Sequence, residues 1–260
     1  MSDAVVLTRP EDHIALLTLD RPDSLNAMNM PLIGELHVVL DEIALDPSLR
    51  VVVITGNGRG FCAGLDLKDL GRVPRPGEHP GMKVGMTVQE FIAGVMIKLH
   101  NLPQIVIAAV NGPAFGGGLS LALSSEIRIA STAASFCSAF IRTGLSGTDM
   151  GVSYLLPRLI GVSRAFDMIL TGRSVDAAEA ERLGLVSRVV EPEALVEEAF
   201  SVARTIAGYS RGGLLLTKEV LWHSVDAPNL ASAIAMENRN QLLASQSGEI
   251  VEYQERFRQK

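Results

Sequence analysis

A chain of 260 residues, 47% hydrophobic and 20% charged, can bury a sizeable core as one domain plus a small appendage. Its formal net charge of -6 leaves no basic footprint, which argues against a nucleic-acid partner, and its two cysteines, Cys62 and Cys137, are too few for a disulfide framework. The opening MSDAVVLTRPED has no charged-then-apolar signal pattern, and no run of about 18 apolar residues is present to span a membrane, so the expectation is a soluble cytoplasmic protein.

Val5 to Thr8 and Ile14 to Leu19 read as short strands around a turn at Pro10-Glu11-Asp12. Arg21-Pro22-Asp23 ends the second. Pro31 follows Asn29 at a plausible first helical position, and Leu32, Ile33, Leu36, Val39, Leu40 and Ile43 recur at helical spacing. That amphipathic helix is closed by Asp46-Pro47, and Arg50 to Thr55 is a buried strand. Strand, helix and strand in alternation point to an α/β core. The next stretch, GNGRGFCAG, stands where a dinucleotide-binding turn would, but the third glycine of that pattern falls on Phe61 and no phosphate-loop lysine follows. Gly71 to Met86 lacks periodicity and reads as a surface loop, after which Thr87 to Leu102 is helical with Phe91, Val95 and Leu99 on one face.

The chain is organised around IVIAAVNGPAFGGGLSLAL, Ile105 to Leu123. Ile105 to Val110 has the length of a fully buried strand, Asn111-Gly112 breaks it, and an apolar helix opens straight off Gly116, Gly117 and Gly118. Glycines let another group approach the main chain, and a helix start has amide N–H groups without intrahelical partners. A negatively charged oxygen can sit at such a place; the alternative is a turn that simply packs helix against sheet. Beyond it, Ile127 to Ala130 and Ser135 to Cys137 are extended, IRTGLSGTDMG is irregular, and Val152 to Ile160 and Ser163 to Leu170 are helices. Asp176 and Glu179 form a capping pair for a helix ending at Gly184, and Leu185 to Val190 is the last strand. Helices then fill Glu193 to Ala207, Leu214 to Ser224, Leu230 to Leu243 and Glu249 to Arg258. The expected organisation is an α/β core over residues 1–192 and an all-helical region over 193–260.

AAVNGPAFGGGLSLALSSEIRIAS, with RVVVITGNGRGFCAGLDL, LDRPDSLNAM and AERLGLVSRVV in the same order, resembles the enoyl-CoA hydratase/isomerase (crotonase) superfamily. The resemblance implies a spiral of ββα units whose helical C-terminal region carries the contacts of a homotrimer or homohexamer. It implies an acyl-CoA thioester as substrate, with coenzyme A entering as part of it and no separate cofactor. The shared chemistry is stabilisation of a thioester enolate by two backbone N–H donors, each worth roughly 3 kcal/mol in the transition state. Carried over, those donors are the amides of Leu65 and Gly117. The same carry-over runs coenzyme A along Ala63, Leu65, Asp66, Leu67 and Lys68 and the bend at Ser24-Leu25, with Gly117 at the thioester. Lys68 would meet a phosphate as a point charge, or is a solvated surface lysine.

Two departures bear on activity. Family hydratases carry a glutamate two residues after the glycine triplet and another twenty positions further on; here these are Ser120 and Phe140, which become acyl-pocket residues. A phenylalanine cannot exchange a proton, and a serine at its ordinary pKa is a poor acid or base. Asp149 is the acid left in that region, in a setting that resembles where dienoyl-CoA isomerases and 4-chlorobenzoyl-CoA dehalogenases place an essential aspartate. A carboxylate facing an apolar acyl group suits proton shuttling near neutral pH; the alternative is a loop aspartate capping the next helix. Cys62, with no histidine near it in sequence, reads as an inert buried thiol, and the five histidines show no ligand spacing, so no metal site is expected. The resulting expectation is an enoyl-CoA hydratase/isomerase-type enzyme that uses Asp149 for water addition or a double-bond shift. The alternatives are a non-catalytic acyl-CoA-binding protein and an enzyme in which Asp149 attacks an acyl or aroyl group.

Overall fold

A computed structural model describes residues 4–68, 81–246 and 250. β1 (Val5–Glu11) and β2 (Ile14–Leu19) form an antiparallel hairpin. β2 pairs in parallel with β3 (Val51–Gly56), β3 with β4 (Ile105–Val110), β4 with β6 (Ile127–Ser131), and β6 with β9 (Arg188–Val190). This gives a six-stranded sheet in the order β1-β2-β3-β4-β6-β9. A smaller sheet joins β5 (Pro113–Phe115), β7 (Ser135–Cys137) and β8 (Val175–Asp176).

Every residue of β3 and β4 is buried, because a parallel sheet is covered on both faces. Alternate side chains go to opposite sides. Val52, Ile54, Val106 and Ala108 join the main core with α1 (Met30–Leu45) and α2 (Met82–His100). Val51, Val53, Ile107 and Ala109 meet Leu195, Ala199, Phe200 and Ala203 of α7 (Leu195–Ala207) on the other face. α3 (Gly117–Leu123), α4 (Val152–Ile160), α5 (Val162–Thr171) and α6 (Ala177–Leu183) intervene, and α8 (Arg211–Val225) and α9 (Leu230–Ser245) pack on each other beyond α7. None of the described helices is long and apolar enough to cross a membrane.

The local signals explain most boundaries. Asn29 caps α1 by accepting from Leu32 N at 3.1 Å, and Asp176 caps α6 by accepting from Glu179 N at 2.7 Å. Gly184 ends α6 in the left-handed region. Three expectations shift. β1 continues to Glu11 through an irregularity in register, so the turn falls at Asp12-His13; Pro10 is tolerated because β1 is an edge strand. α2 starts at Met82 rather than Thr87, since its first turns are exposed and show no burial period to read. Its inner face is Ile92, Val95, Met96 and Leu99, whereas Phe91 is 40% exposed and stacks on His37 with ring centroids 4.4 Å apart. Of the loop and terminal helix expected from the sequence, residues 71–80, 249 and 251–258 lie outside the described residues. β5 and β8 were not legible, each being too short to show alternation.

Candidate active site

The site forms where the segment after β3 folds back over the start of α3. Asn26 makes the first clamp: fully buried and in the left-handed region (φ 57), it donates to Asn57 O at 3.0 Å and Gly60 O at 2.7 Å and accepts from Arg21 N at 2.8 Å. Asparagine tolerates that conformation better than most residues. Residues 62–66 then thread between two strands of backbone. On one side Ala63 N donates to Leu25 O at 3.0 Å, Met28 N to Gly64 O at 2.7 Å and Asp66 N to Met28 O at 2.9 Å. On the other, Cys62 N donates to Pro113 O at 3.0 Å and Phe115 N to Cys62 O at 2.9 Å.

This ladder leaves two amides out, that of Gly64, which turns to the Cys62 sulfur, and that of Leu65. Among the described residues nothing accepts from Leu65 N. The same holds for Gly117 N, the first amide of α3, while its neighbour Gly116 N is taken by Cys137 O at 2.9 Å. Glycine makes the approach of these two segments possible. A Cβ on Gly64 (φ 93) would stand 3.5 Å from Gly117 N, and one on Gly118 would stand 1.9 Å from Cys62 O. Two amides with free hydrogens therefore sit on adjoining, tightly packed segments, one of them at the positive end of a helix.

Two cavities lie close by. One of about 260 Å³ is lined by Gly64, Leu65, Gly116, Phe140 and Arg142. The other, about 320 Å³, lies between α2 and α4 and is lined by Ala93, Met96, His100, Met150, Tyr154 and Leu155. Met150, held at φ 49, lines the second cavity and reaches to the start of α3: its sulfur stands 3.2 Å from where a Cβ of Gly117 would be.

Asp149 is half-buried beside the second cavity. Its Oδ1 accepts from Gln89 Nε2 of α2 at 2.7 Å and from Met150 N at 2.7 Å. Gln89 is one turn before Ala93 along α2, at the rim of the cavity. The side chain of Asp149 does not cap α4, whose cap position is Gly151 without a side-chain bond. Only its main-chain oxygen serves the helix, accepting from Val152 N at 3.0 Å. Phe140 is buried against Gly116, its ring 3.5 Å from where a Cβ would be. Ser120 is enclosed, and its hydroxyl donates to Gly116 O at 3.3 Å within α3, so it lines neither cavity. Ser24 turns inward to Arg21 O at 3.2 Å next to Leu25 in the left-handed region. Asp66 pairs with Arg21 at 3.0 Å and accepts from Lys68 N at 3.2 Å, which spends its carboxylate on holding the loop. Leu67 and Lys68 are exposed at the edge.

Residues 9–260 match the family model for enoyl-CoA hydratase/isomerase. The chain belongs to the enoyl-CoA hydratase/isomerase family. It is 46% identical over 238 residues to a Mycobacterium tuberculosis protein named "Probable enoyl-CoA hydratase EchA12", covering 92% of this chain and 84% of that one. It is 36% identical over 244 residues to the 1,2-epoxyphenylacetyl-CoA isomerase of Escherichia coli, covering 94% and 91%. Its fold superposes with a TM-score of 0.85 and 45% identity on a crystal structure described as a probable enoyl-CoA hydratase/isomerase from Mycobacterium abscessus, covering 92% and 89%. The architecture above is thus the crotonase fold.

Within this enoyl-CoA hydratase/isomerase site the thiols take no visible part. Burial pushes Cys62 up to about 12, and Cys137 donates to Gly172 O at 3.0 Å in the interior. Three residues that the sequence did not assign to a site stand around it: Gln89 on Asp149, Met150 beside Gly117, and His100 on the wall of the second cavity. None carries a local signal. Gln89 meets Asp149 from sixty residues away, and His100 gains its place only because α2 and α4 form a cavity between them.

Proposed function

We propose that this protein shifts a double bond in an unsaturated acyl-CoA by moving one proton through a thioester enolate. The observation that carries the reading is the pair of amides without an acceptor among the described residues, Leu65 N–H and Gly117 N–H, on adjoining segments, Leu65 lining a cavity and Gly117 touching Met150 of another. Donors aimed at the thioester oxygen stabilise it most when negative charge collects there, each by roughly 3 kcal/mol. In this scheme the Asp149 carboxylate removes a proton from the carbon chain and the electron pair moves through the conjugated system to the thioester oxygen. The Asp149 acid then returns the proton to a different carbon, which restores both the carboxylate and the thioester carbonyl. Gln89 keeps the Asp149 carboxylate turned to the cavity rim.

A single proton carrier suffices for this shift. Water addition also needs the water positioned and deprotonated, and the two positions where family hydratases carry glutamates hold an enclosed serine and a phenylalanine. Coenzyme A would follow Ala63 to Lys68 and the Ser24-Leu25 bend, with Lys68 at a phosphate. The chain would assemble as a trimer or a pair of trimers through its last helices, for which light scattering showing only monomer at micromolar concentration is the opposing result.

The experiment is Asp149→Asn, assayed with 3-enoyl- and dienoyl-CoA thioesters and by deuterium uptake into the acyl chain in D₂O. The variant should bind acyl-CoA as the parent does while turnover and deuterium uptake fall by about two to four orders of magnitude. Near-normal turnover in the variant would remove Asp149 from the mechanism. A parent protein that binds acyl-CoA but exchanges no proton would be a binding protein instead.

A further inference from the structure

The cavity between α2 and α4 is apolar along Ala93, Met96, Ile97 and Leu155, yet it ends on an imidazole, that of His100. His100 Nδ1 is fully enclosed without a hydrogen-bond partner among the described residues, and Nε2 has none there either. An orphaned polar atom at a buried position costs stability, and native structures rarely keep one without a use. The ring packs on the indole of Trp222, tilted at 59° with centroids 4.3 Å apart, at the seam with a neighbouring cavity lined by Lys218 and Glu219. With neither nitrogen tied, a half-turn about Cβ–Cγ breaks no hydrogen bond and can present either nitrogen to the cavity. Burial pushes the imidazole below its ordinary value, with Lys218 adding and Glu126 opposing, so at neutral pH the ring is uncharged and offers one donor and one acceptor. The other polar groups on the wall are already engaged: Tyr154 donates to Asp226 and Ser124 donates to Ser120 O at 2.9 Å.

We propose that His100 is a specificity-determining residue that reads a hydroxyl at the far end of the acyl group, so that the preferred thioesters are oxygenated remote from the coenzyme A. The inference rests on the acyl-CoA reading above and deepens it. A hydroxyl both donates and accepts, which matches an uncharged imidazole; a carbonyl accepts only, and a methyl end does neither. The position sets a length. His100 lies about 10 Å beyond Ala93 along α2 and about 16 Å beyond Gln89, which holds Asp149. An extended chain advances roughly 1.2 Å per bond, so the roughly 16 Å take about thirteen bonds, and with the reacting carbons at Asp149 an acyl group of about fourteen to sixteen carbons brings its end to the ring. A site that keeps a hydrogen-bonding group for its substrate discriminates against the analogue that lacks the partner, because the group then stays unpaired.

The test is calorimetric binding of tetradecanoyl- and hexadecanoyl-CoA against their terminal-hydroxyl counterparts, saturated so that no turnover intervenes. The parent protein should favour the hydroxylated thioester by about ten- to a hundredfold. His100→Leu should abolish or reverse that ratio while keeping affinity for the plain thioester, and His100→Gln, which retains a donor and an acceptor, should keep part of it. Plain thioesters binding as well as hydroxylated ones in the parent, or a ratio unchanged in His100→Leu, would overturn this inference and leave the acyl-CoA reading standing. Binding of neither series would overturn both. The ratio is internal to each variant, so a general loss of stability does not imitate the effect.

Discussion

Gly118→Ala is the sharpest test of how the two amides are held. The added methyl would stand 1.9 Å from Cys62 O, 2.7 Å from Cys62 C and 2.8 Å from Cys62 Cβ, against main chain that is hydrogen-bonded on both sides. Ordinary carbon contacts begin near 3.4 Å, so α3 and the 62–66 segment must part by about 1.5 Å. Those are the segments that carry Gly117 N and Leu65 N. Overpacking of this kind costs typically 1–3 kcal/mol, and more against rigid backbone, which for a chain of this size lowers the melting temperature by roughly 5–10 °C. A displacement of about 1 Å between groups that act together reduces turnover by about a hundredfold. Gly117→Ala is the control. Its methyl meets the sulfurs of Met28 at 2.9 Å and Met150 at 3.2 Å, flexible ends that can give way, and it keeps the amide. Thermal unfolding and steady-state turnover of the two variants should therefore separate, with Gly118→Ala much the worse in both. A Gly118→Ala protein within about 2 °C of the parent and fully active would refute the idea that this contact sets the amide pair.

Other expectations follow from single features. Gln89→Leu should leave the fold intact and reduce turnover by about tenfold, less than Asp149→Asn, because it frees the carboxylate without removing it; an unchanged rate would mean that the 2.7 Å bond has no part in positioning. Lys218, buried between Gln104 O at 2.9 Å and Glu126 at 3.0 Å, ties α8 to the sheet, and Lys218→Met should cost about 3–5 kcal/mol by denaturant titration, since the Glu126 carboxylate is left with neutral donors only. Cys62 should resist iodoacetamide in the native state at pH 8–9 and react on unfolding, as mass spectrometry can follow. With its folded value raised to about 12 from the 9.0 of a free thiol, it keeps a proton in the folded state that the unfolded chain has lost. Stability therefore falls as pH rises above 9. Calorimetry with acetoacetyl-CoA and with NAD should show binding of the first alone; the reverse would contradict the proposed ligand class.

Much of this protein is written locally. The buried runs at 51–56 and 105–110, the caps at Asn29 and Asp176, and the stop at Gly184 depend on residues a few positions apart, so pattern and propensity read them directly. The glycine triplet and the FCAG turn are likewise local, and it is the family resemblance they carry that singled out Leu65 and Gly117. Only the tertiary structure decided that their amides have no acceptor among the described residues while those of Gly116 and Asp66 do, because that follows from which strand each segment lies against. It also decided that Asp149 is held by a glutamine sixty residues away instead of capping α4, and that Phe91 turns outward onto His37. His100 illustrates the reason most plainly. One histidine at the end of a helix carries no periodic or spacing signal, and its meaning arises only when α2, α4 and α8 close around it. Sequence specifies what each segment can form with its near neighbours; the partners available to a group across space are a property of the packed chain.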